Sequence, residues 1–309
     1  MSQDKSKSVN TTGHVWDENL QELTNPLPMW WIWTFYVTII FSIIYWVMYP
    51  AWPIGTNYTK GVGNTISYTA TQVDGKEVQK TTHWNMRSKL MAEMNEHNAI
   101  QKPFFSKVAA KPFEEAAKDA ELMNFVNSAG GALFKDNCAA CHQAGGVGKI
   151  GLAPNLVDDV WIYGGSYEKI QETITNGRNG MMPAFKGVLP DDKIAQVGNY
   201  VLSLSGEPHD AEAAKAGDAI FHNEGGCLVC HGPEGKGNPD LGSANLTDKN
   251  WLWANVPGQS TAEGKLSEVV NVVSGGMSRG KMPTWGGRLS KEQIKVLTLY
   301  VHDSLGGGK

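Results

Sequence analysis

The chain has 309 residues, a net charge of -4, a pI near 6.1 and a mean hydropathy of -0.30. That hydropathy excludes a protein built mostly of membrane helices, and 27 basic against 31 acidic residues leave no basic field for nucleic acid. The length suits about two domains.

Taken in chain order, residues 1–28 form a polar arm. No charged residue then occurs between Glu22 and Lys60, and Met29 to Tyr49 is almost wholly apolar. As a helix rising about 1.5 Å per residue, this run matches the thickness of a bilayer core. Trp30, Trp31 and Trp33 cluster at one end and Tyr45, Trp46, Tyr49 and Trp52 at the other, where amphipathic rings sit at headgroup level. Pro26 and Pro28 precede the helix, and Pro50 and Pro53 end it. A secretory leader would begin nearer the N-terminus and end in a small-residue cleavage site. Residues 29–53 are therefore expected to be a retained, single-span anchor in membrane lipid.

Residues 54–113 are expected to link or pack. Gly61-Val62-Gly63-Asn64 and Val73-Asp74-Gly75-Lys76 read as turns among short strands, and Trp84 to Asn98 reads as a helix.

All four cysteines fall in two identical motifs, Cys138-Ala-Ala-Cys141-His142 and Cys227-Leu-Val-Cys230-His231. In C-x-x-C-H, two thiols can bond the vinyl groups of one haem while the adjacent imidazole reaches its iron. A zinc site would need four converging ligands, and a dithiol centre would leave both histidines unexplained. Two covalently attached c-type haems are expected. Because bacterial c-haem attachment is periplasmic, the haem-bearing region should lie in the periplasm, with the N-terminus in the cytoplasm.

The surroundings of the motifs also recur. Gly130 and Phe134 answer to Gly217 and Phe221, while Asn155, Leu156 and Trp161 match Asn245, Leu246 and Trp251 at an offset of 90. Farther on the offset becomes 100, pairing Met182-Pro183 with Met282-Pro283, and Ile194, Tyr200 and Val201 with Ile294, Tyr300 and Val301. The change marks an insertion near Val256 to Lys265. Apolar residues at helical spacing predict a final helix in each unit, and Gly130 and Gly217 permit a close helix crossing filled by Tyr200 or Tyr300. Residues 114–206 and 207–309 are expected to be the two domains.

Each motif supplies one axial ligand. Equivalence across the repeat favours Met182 over Met181 and Met282 over Met277 for the opposite face. His142 and Met182 are expected on the first iron, His231 and Met282 on the second. His209, His222 and His302 are rivals without counterparts in the other unit. A thioether raises the potential, and six-coordinate iron leaves no open site, so the chain should carry electrons and have no catalytic residues. Arg178 and Arg279 are candidates to pair with haem propionates.

These units resemble class I cytochrome c domains. Pro154 matches the proline whose surroundings orient the proximal histidine in that class, whereas the second unit has Ala244 there, with Pro239 as a possible substitute. Asp17 through Pro53, containing Glu22-Leu-Thr-Asn-Pro-Leu-Pro-Met-Trp-Trp31, resembles the anchor of the dihaem subunit, subunit III, of cbb3-type cytochrome c oxidases. The resemblance implies a mainly α fold, with one N-terminal transmembrane helix followed by two tandem class I cytochrome c domains, in a bacterial inner membrane. It also implies a soluble or membrane-bound cytochrome c donor, with electrons passing through a monohaem cytochrome c subunit to a haem-copper catalytic subunit that reduces oxygen to water and pumps protons. The competing readings are a dihaem electron-transfer subunit of a periplasmic dehydrogenase and a dihaem peroxidase.

Overall fold

The computed structural model describes residues 10–71, 76–278 and 281–306. Val73, Asp74 and Gly75 of one expected turn, and Arg279, lie outside the described residues. The chain divides into two units, Met1–Ile100 and Gln101–Lys309.

In the first unit, the antiparallel strands β1 (Thr11–Trp16) and β2 (Leu20–Leu23) precede helix α1 (Met29–Met48). None of the 20 residues of α1 is buried, so an apolar surface faces outward on every side. Such a helix suits lipid. Its few polar side chains are satisfied locally: Thr34 donates to the Trp30 carbonyl at 2.8 Å and Ser42 to that of Thr38 at 2.8 Å. The last carbonyls of α1 are capped by the first predicted turn. Val62 N–H donates to Val47 O at 3.0 Å and Asn64 Nδ2 to Met48 O at 3.0 Å. Gly61 adopts a φ of 79° there and lies against the Met48 carbonyl, where a Cβ would clash.

Two hairpins follow, β3 (Pro53–Ile54) with β4 (Asn57–Tyr58) and β5 (Thr65–Thr71) with β6 (Glu77–His83). Helix α2 (Met86–Ala110) then runs past the expected end at Asn98 and through Pro103.

In the second unit, α3 (Phe113–Lys118) and α4 (Ala120–Phe125) lead through one π turn into α5 (Gly131–Asn137) and the short helix α6 (Ala139–His142). A long loop, α7 (Tyr167–Asn176), β7 (Arg178–Asn179) and α8 (Asp191–Leu204) complete the first repeat. The second runs through α9 (Ala211–His222), α10 (Leu228–His231), α11 (Ala262–Gly275), β8 (Lys281–Met282) and α12 (Lys291–Leu299), with a π turn over Tyr300–Ser304.

The repeats are tandem in sequence, but their packing is exchanged. One core joins Ile194, Val197, Val201 and Leu202 of α8 to Ile220 of α9 and Val269 and Val273 of α11. Another joins Phe134 of α5 and Ile170 and Ile174 of α7 to Ile294, Leu297 and Val301 at the C-terminus. The last helix of each repeat therefore packs on the first helix of the other, and the division at residue 206 does not separate two cores. Only six residues, 205–210, connect α8 to α9, and so short a link makes the two helices neighbours. Buried Asn199 fixes that link: its Oδ1 accepts from Asp210 N–H at 2.9 Å and its Nδ2 donates to Ala195 O at 2.9 Å. The glycine contacts follow the exchange. A Cβ at Gly130 would come within 2.8 Å of Tyr300 Cβ, and one at Gly217 would strike the Gln196 carbonyl beside Tyr200. Burial of Phe134 and Phe221, 2% and 1% exposed, contributes about 1.5–3 kcal/mol each.

Candidate haem sites

Each C-x-x-C-H occupies a short helical turn that presents its histidine inward. His142 Nδ1 lies 3.0 Å from the Pro154 carbonyl oxygen, and His231 Nδ1 lies 2.8 Å from that of Ala244. A backbone oxygen only accepts, so Nδ1 carries the proton in both rings and Nε2 is left as a free donor atom for a metal. Burial holds both imidazoles below their ordinary pKa, which keeps them neutral. The second site needs no proline: the Ala244 carbonyl does what the Pro154 carbonyl does in the first, and the suggested substitute Pro239 takes no part in this bond. The reason is that the acceptor is backbone, which any residue supplies.

Burial pushes the Cys138 thiol up to about 11 and raises that of Cys227 as well. Dithiol redox centres need the opposite shift. Among the described residues, no cluster of three or more His, Cys, Asp or Glu could hold a metal ion.

The exchange extends to the methionines. Met182 packs with Cys227, Leu246 and Trp251 against the α8–α9–α11 core, and it lines a cavity of about 260 Å³ with Cys227, Cys230 and His231. Met282 packs instead with Cys138, Leu156 and Trp161 against the α5–α7–α12 core. The structure thus groups Met182 with His231 and Met282 with the first motif, opposite to the pairs expected within each repeat. Two crossed loops hold them. Met182 and Met277 exchange both backbone hydrogen bonds at 2.8 Å, while Arg178 stands opposite Met282 in the β7–β8 pair. Phe185 N–H reaches Val273 O at 3.1 Å, tying the Met182 loop to α11, and Trp285 N–H reaches Ile174 O at 3.2 Å, tying the Met282 loop to α7. Gly177 and Gly276, with φ of 69° and 62°, let the loops approach the carbonyls of Met282 and Met182.

The other candidates divide by place: the rival methionines lie at the same cavity, and the arginine and histidines are engaged in other contacts. Met181 is 80% exposed, and Met277 lines the Met182 cavity. Arg178 Nε donates to Thr173 Oγ1 at 2.9 Å, its NH1 pairs with Glu172 at 3.0 Å, and its guanidinium lies over Tyr163. His209 Nδ1 meets the Glu207 carbonyl oxygen at 2.8 Å, while His302 stacks on Tyr167 with ring centroids 3.9 Å apart.

The loops carrying Pro154 and Ala244 face one another across a cleft of about 280 Å³, lined by Asn155, Asp158 and Trp161 from one repeat and Asn245, Asn250 and Trp251 from the other. The two sites are therefore neighbours. Each loop is built by the same side-chain turns: Asn155 and Asp158 accept from Val157 and Val160 N–H, and Asn245 and Asp248 accept from Thr247 and Asn250 N–H. Asp158 and Asp248 were not among the sequence candidates, although N-L-x-D-x-x-W recurs at the offset of 90. Trp251 Nε1 is buried without a protein partner, in a wall shared by cavity and cleft. It is a donor awaiting an acceptor, which the carboxylate side chains of a haem would supply. At the second site, paired thiols, a neutral imidazole with Nε2 free, a thioether lining the same cavity and that donor all fit a covalently bound haem.

Comparison with known proteins covers nearly the whole chain. Residues 8–56 match the family model described as the N-terminal domain of cytochrome oxidase-cbb3, FixP. Residues 126–201 and 212–301 match the model described as cytochrome c oxidase, cbb3-type, subunit III. The chain is 42% identical to the cbb3-type cytochrome c oxidase subunit FixP of Azorhizobium caulinodans, over 99% of this chain and 96% of the relative. It is 38% identical to the CcoP subunit of an Azospirillum species, over 99% and 98%, and 42% identical to CcoP of Rubrivivax gelatinosus, over 94% and 83%.

Proposed function

Because the chain belongs to the family of cbb3-type cytochrome c oxidase subunit III, we propose that it binds two c-type haems and relays electrons from a periplasmic cytochrome c donor. The electrons would go to a monohaem subunit and on to the haem-copper subunit, where oxygen is reduced to water and protons are pumped. The observation that carries this reading is the pair of neighbouring sites, each offering two thiols, an oriented neutral imidazole and a methionine from the other repeat.

In this reading Cys138, Cys141, His142 and Met282 would hold the first haem, and Cys227, Cys230, His231 and Met182 would hold the second. Bound there, the haems supply one-electron carriage at raised potential. The chain's own residues do the rest. Pro154 and Ala244 carbonyls fix the imidazole tautomers, and the buried Trp251 Nε1 would donate to a propionate. A histidine and a methionine at each site would together leave no open position for oxygen, so in this reading the subunit carries electrons and leaves the chemistry to its partners. Helix α1 spans the inner membrane, with residues 1–28 cytoplasmic and residues beyond 54 periplasmic.

Purified chain should give two c haems per polypeptide by the pyridine haemochrome assay, and its reduced spectrum should not change with carbon monoxide. Affinity capture should recover a haem-copper subunit and a monohaem cytochrome. Carbon monoxide binding, or a quinoprotein or flavoprotein partner in their place, would overturn the reading.

A further inference from the structure

His222, at the end of α9, has an acceptor at each ring nitrogen. Nδ1 lies 2.9 Å from the Asp218 carbonyl oxygen and 2.9 Å from Asp218 Oδ1; Nε2 lies 2.8 Å from the Pro233 carbonyl oxygen. A neutral imidazole has one N–H, so it would turn a lone pair towards one of these oxygens. Only the imidazolium donates on both sides. The ring thereby straps α9 to the segment just beyond the second attachment motif, since Pro233 stands two residues after His231.

The strap is anchored at its other end as well. Asp218 accepts a hydrogen bond from Tyr200 of α8, whose ring makes edge contacts with Phe221 and His222 at 5.2 and 6.1 Å. Among the described residues, Asp218 on its own helix and Tyr200 on α8 are the titratable groups in contact with His222. On the loop beyond Pro233, Glu234 and Lys236 are paired with each other at 2.6 Å. The first repeat has no such device, because Gly131 and Lys135 occupy the positions equivalent to Asp218 and His222.

We propose that the His222 imidazolium is a positioning residue for the second attachment loop, acting through Pro233 on His231, and that it makes the second haem, but not the first, respond to pH. This rests on the reading that Cys227, Cys230 and His231 hold a haem. The carbonyls of Asp218 and Pro233, with the Asp218 carboxylate, raise the pKa of His222 above its ordinary value. The strap is therefore complete at low pH and is lost as pH rises through that raised value. A cation near the second haem disfavours ferric iron, so the potential of that haem should fall across the same range.

The test is a redox titration of the full-length haem-loaded chain in detergent, followed optically from about pH 5 to about pH 9. The two haems are told apart by Cys138→Ala/Cys141→Ala, which removes the first. In the wild type, the second potential should fall through a single inflection above the ordinary histidine pKa. His222→Gln should abolish the inflection, and His222→Lys, with a permanent charge, should keep the high potential without pH dependence. The first haem should be unchanged in both. An inflection that survives in either variant, or one that disappears from both haems together, overturns the strap; His222→Lys decides the matter should His222→Gln lose its second haem. Absence of haem at Cys227 and Cys230 in the wild type overturns the underlying reading instead, and the haemochrome count shows which has failed.

Discussion

Gly217→Ala tests the exchanged packing with a quantity worked from the structure. The added Cβ would overlap the Gln196 carbonyl group and lie 3.0 Å from Tyr200 Cβ. A backbone carbonyl cannot rotate away, so α8 and α9 must separate. Overpacking of this kind costs typically 1–3 kcal/mol, and the rigid neighbour places it near about 3. Alanine recovers about 1 kcal/mol of helix propensity. The net loss of about 2 kcal/mol raises the unfolded population roughly 30-fold and, for a unit of this size, lowers Tm by about 4–8 °C. Gly131→Ala is the control, because its Cβ would sit 3.6 Å from the nearest Tyr300 atom, an ordinary contact. It should be neutral or up to about 1 kcal/mol stabilising. Thermal unfolding of the detergent-solubilised chain, followed by circular dichroism, measures both. Should Gly217→Ala melt at or above the wild-type temperature, the close crossing of α8 on α9 is wrong.

Ligand exchange can be read in a one-haem background. With Cys227 and Cys230 replaced by alanine, Met282→Ala should abolish methionine ligation of the remaining haem by resonance Raman spectroscopy, and Met182→Ala should leave it intact; the reverse result restores pairing within each repeat. Asp119 caps α4, accepting from Glu121 and Leu122 N–H at 3.1 and 3.2 Å, and pairs with Lys111 at 2.7 Å. The Lys111 hydrogen bond foremost lowers its pKa. Its stabilisation is present above the ordinary carboxylate range and is lost as pH falls through the depressed value. Acid unfolding of Asp119→Asn should therefore show less dependence on pH than that of the wild type. Gly61→Ala combines a φ of 79° with contact on the Met48 carbonyl, at a cost of about 1–2 kcal/mol for the backbone alone. Limited proteolysis between Tyr49 and Asn64 should become faster; unchanged cutting would show that this turn does not cap α1.

Local chemistry was readable from the chain without coordinates. C-x-x-C-H names its own cofactor, a charge-free apolar run names its solvent, and repeat alignment picks out Met182 and Met282 as equivalents. Equivalence does not specify connectivity. Met182 aligns with Met282 whether each faces its own motif or the other, so the alignment is blind to the exchange. The usable signal was the six-residue link between α8 and α9, which makes those two helices neighbours. The Ala244 carbonyl was invisible for another reason, since a backbone acceptor leaves no mark in residue type. Helix α2 outran its expected end because packing overrode Pro103. Beyond that residue, Phe104 stacks on Phe125 and Phe105 meets it edge-on, with centroids 5.2 and 5.0 Å apart, and Val108 is fully buried. These contacts outweigh one missing backbone hydrogen bond.

The crossed loops that carry Met182 and Met282 also bear on biogenesis. A nascent chain delivers Cys138, Cys141 and His142 well before Met282, so on the proposed reading a haem attached at the first motif would wait for the second repeat to supply the thioether that packs beside it. The second motif has its Met182 in place before its own cysteines arrive. On the same reading, a chain terminated between the repeats would keep the first motif but lack the methionine that packs beside it. The exchange makes the copies interdependent: each half borrows from the other the helix that closes its core and the methionine beside its motif.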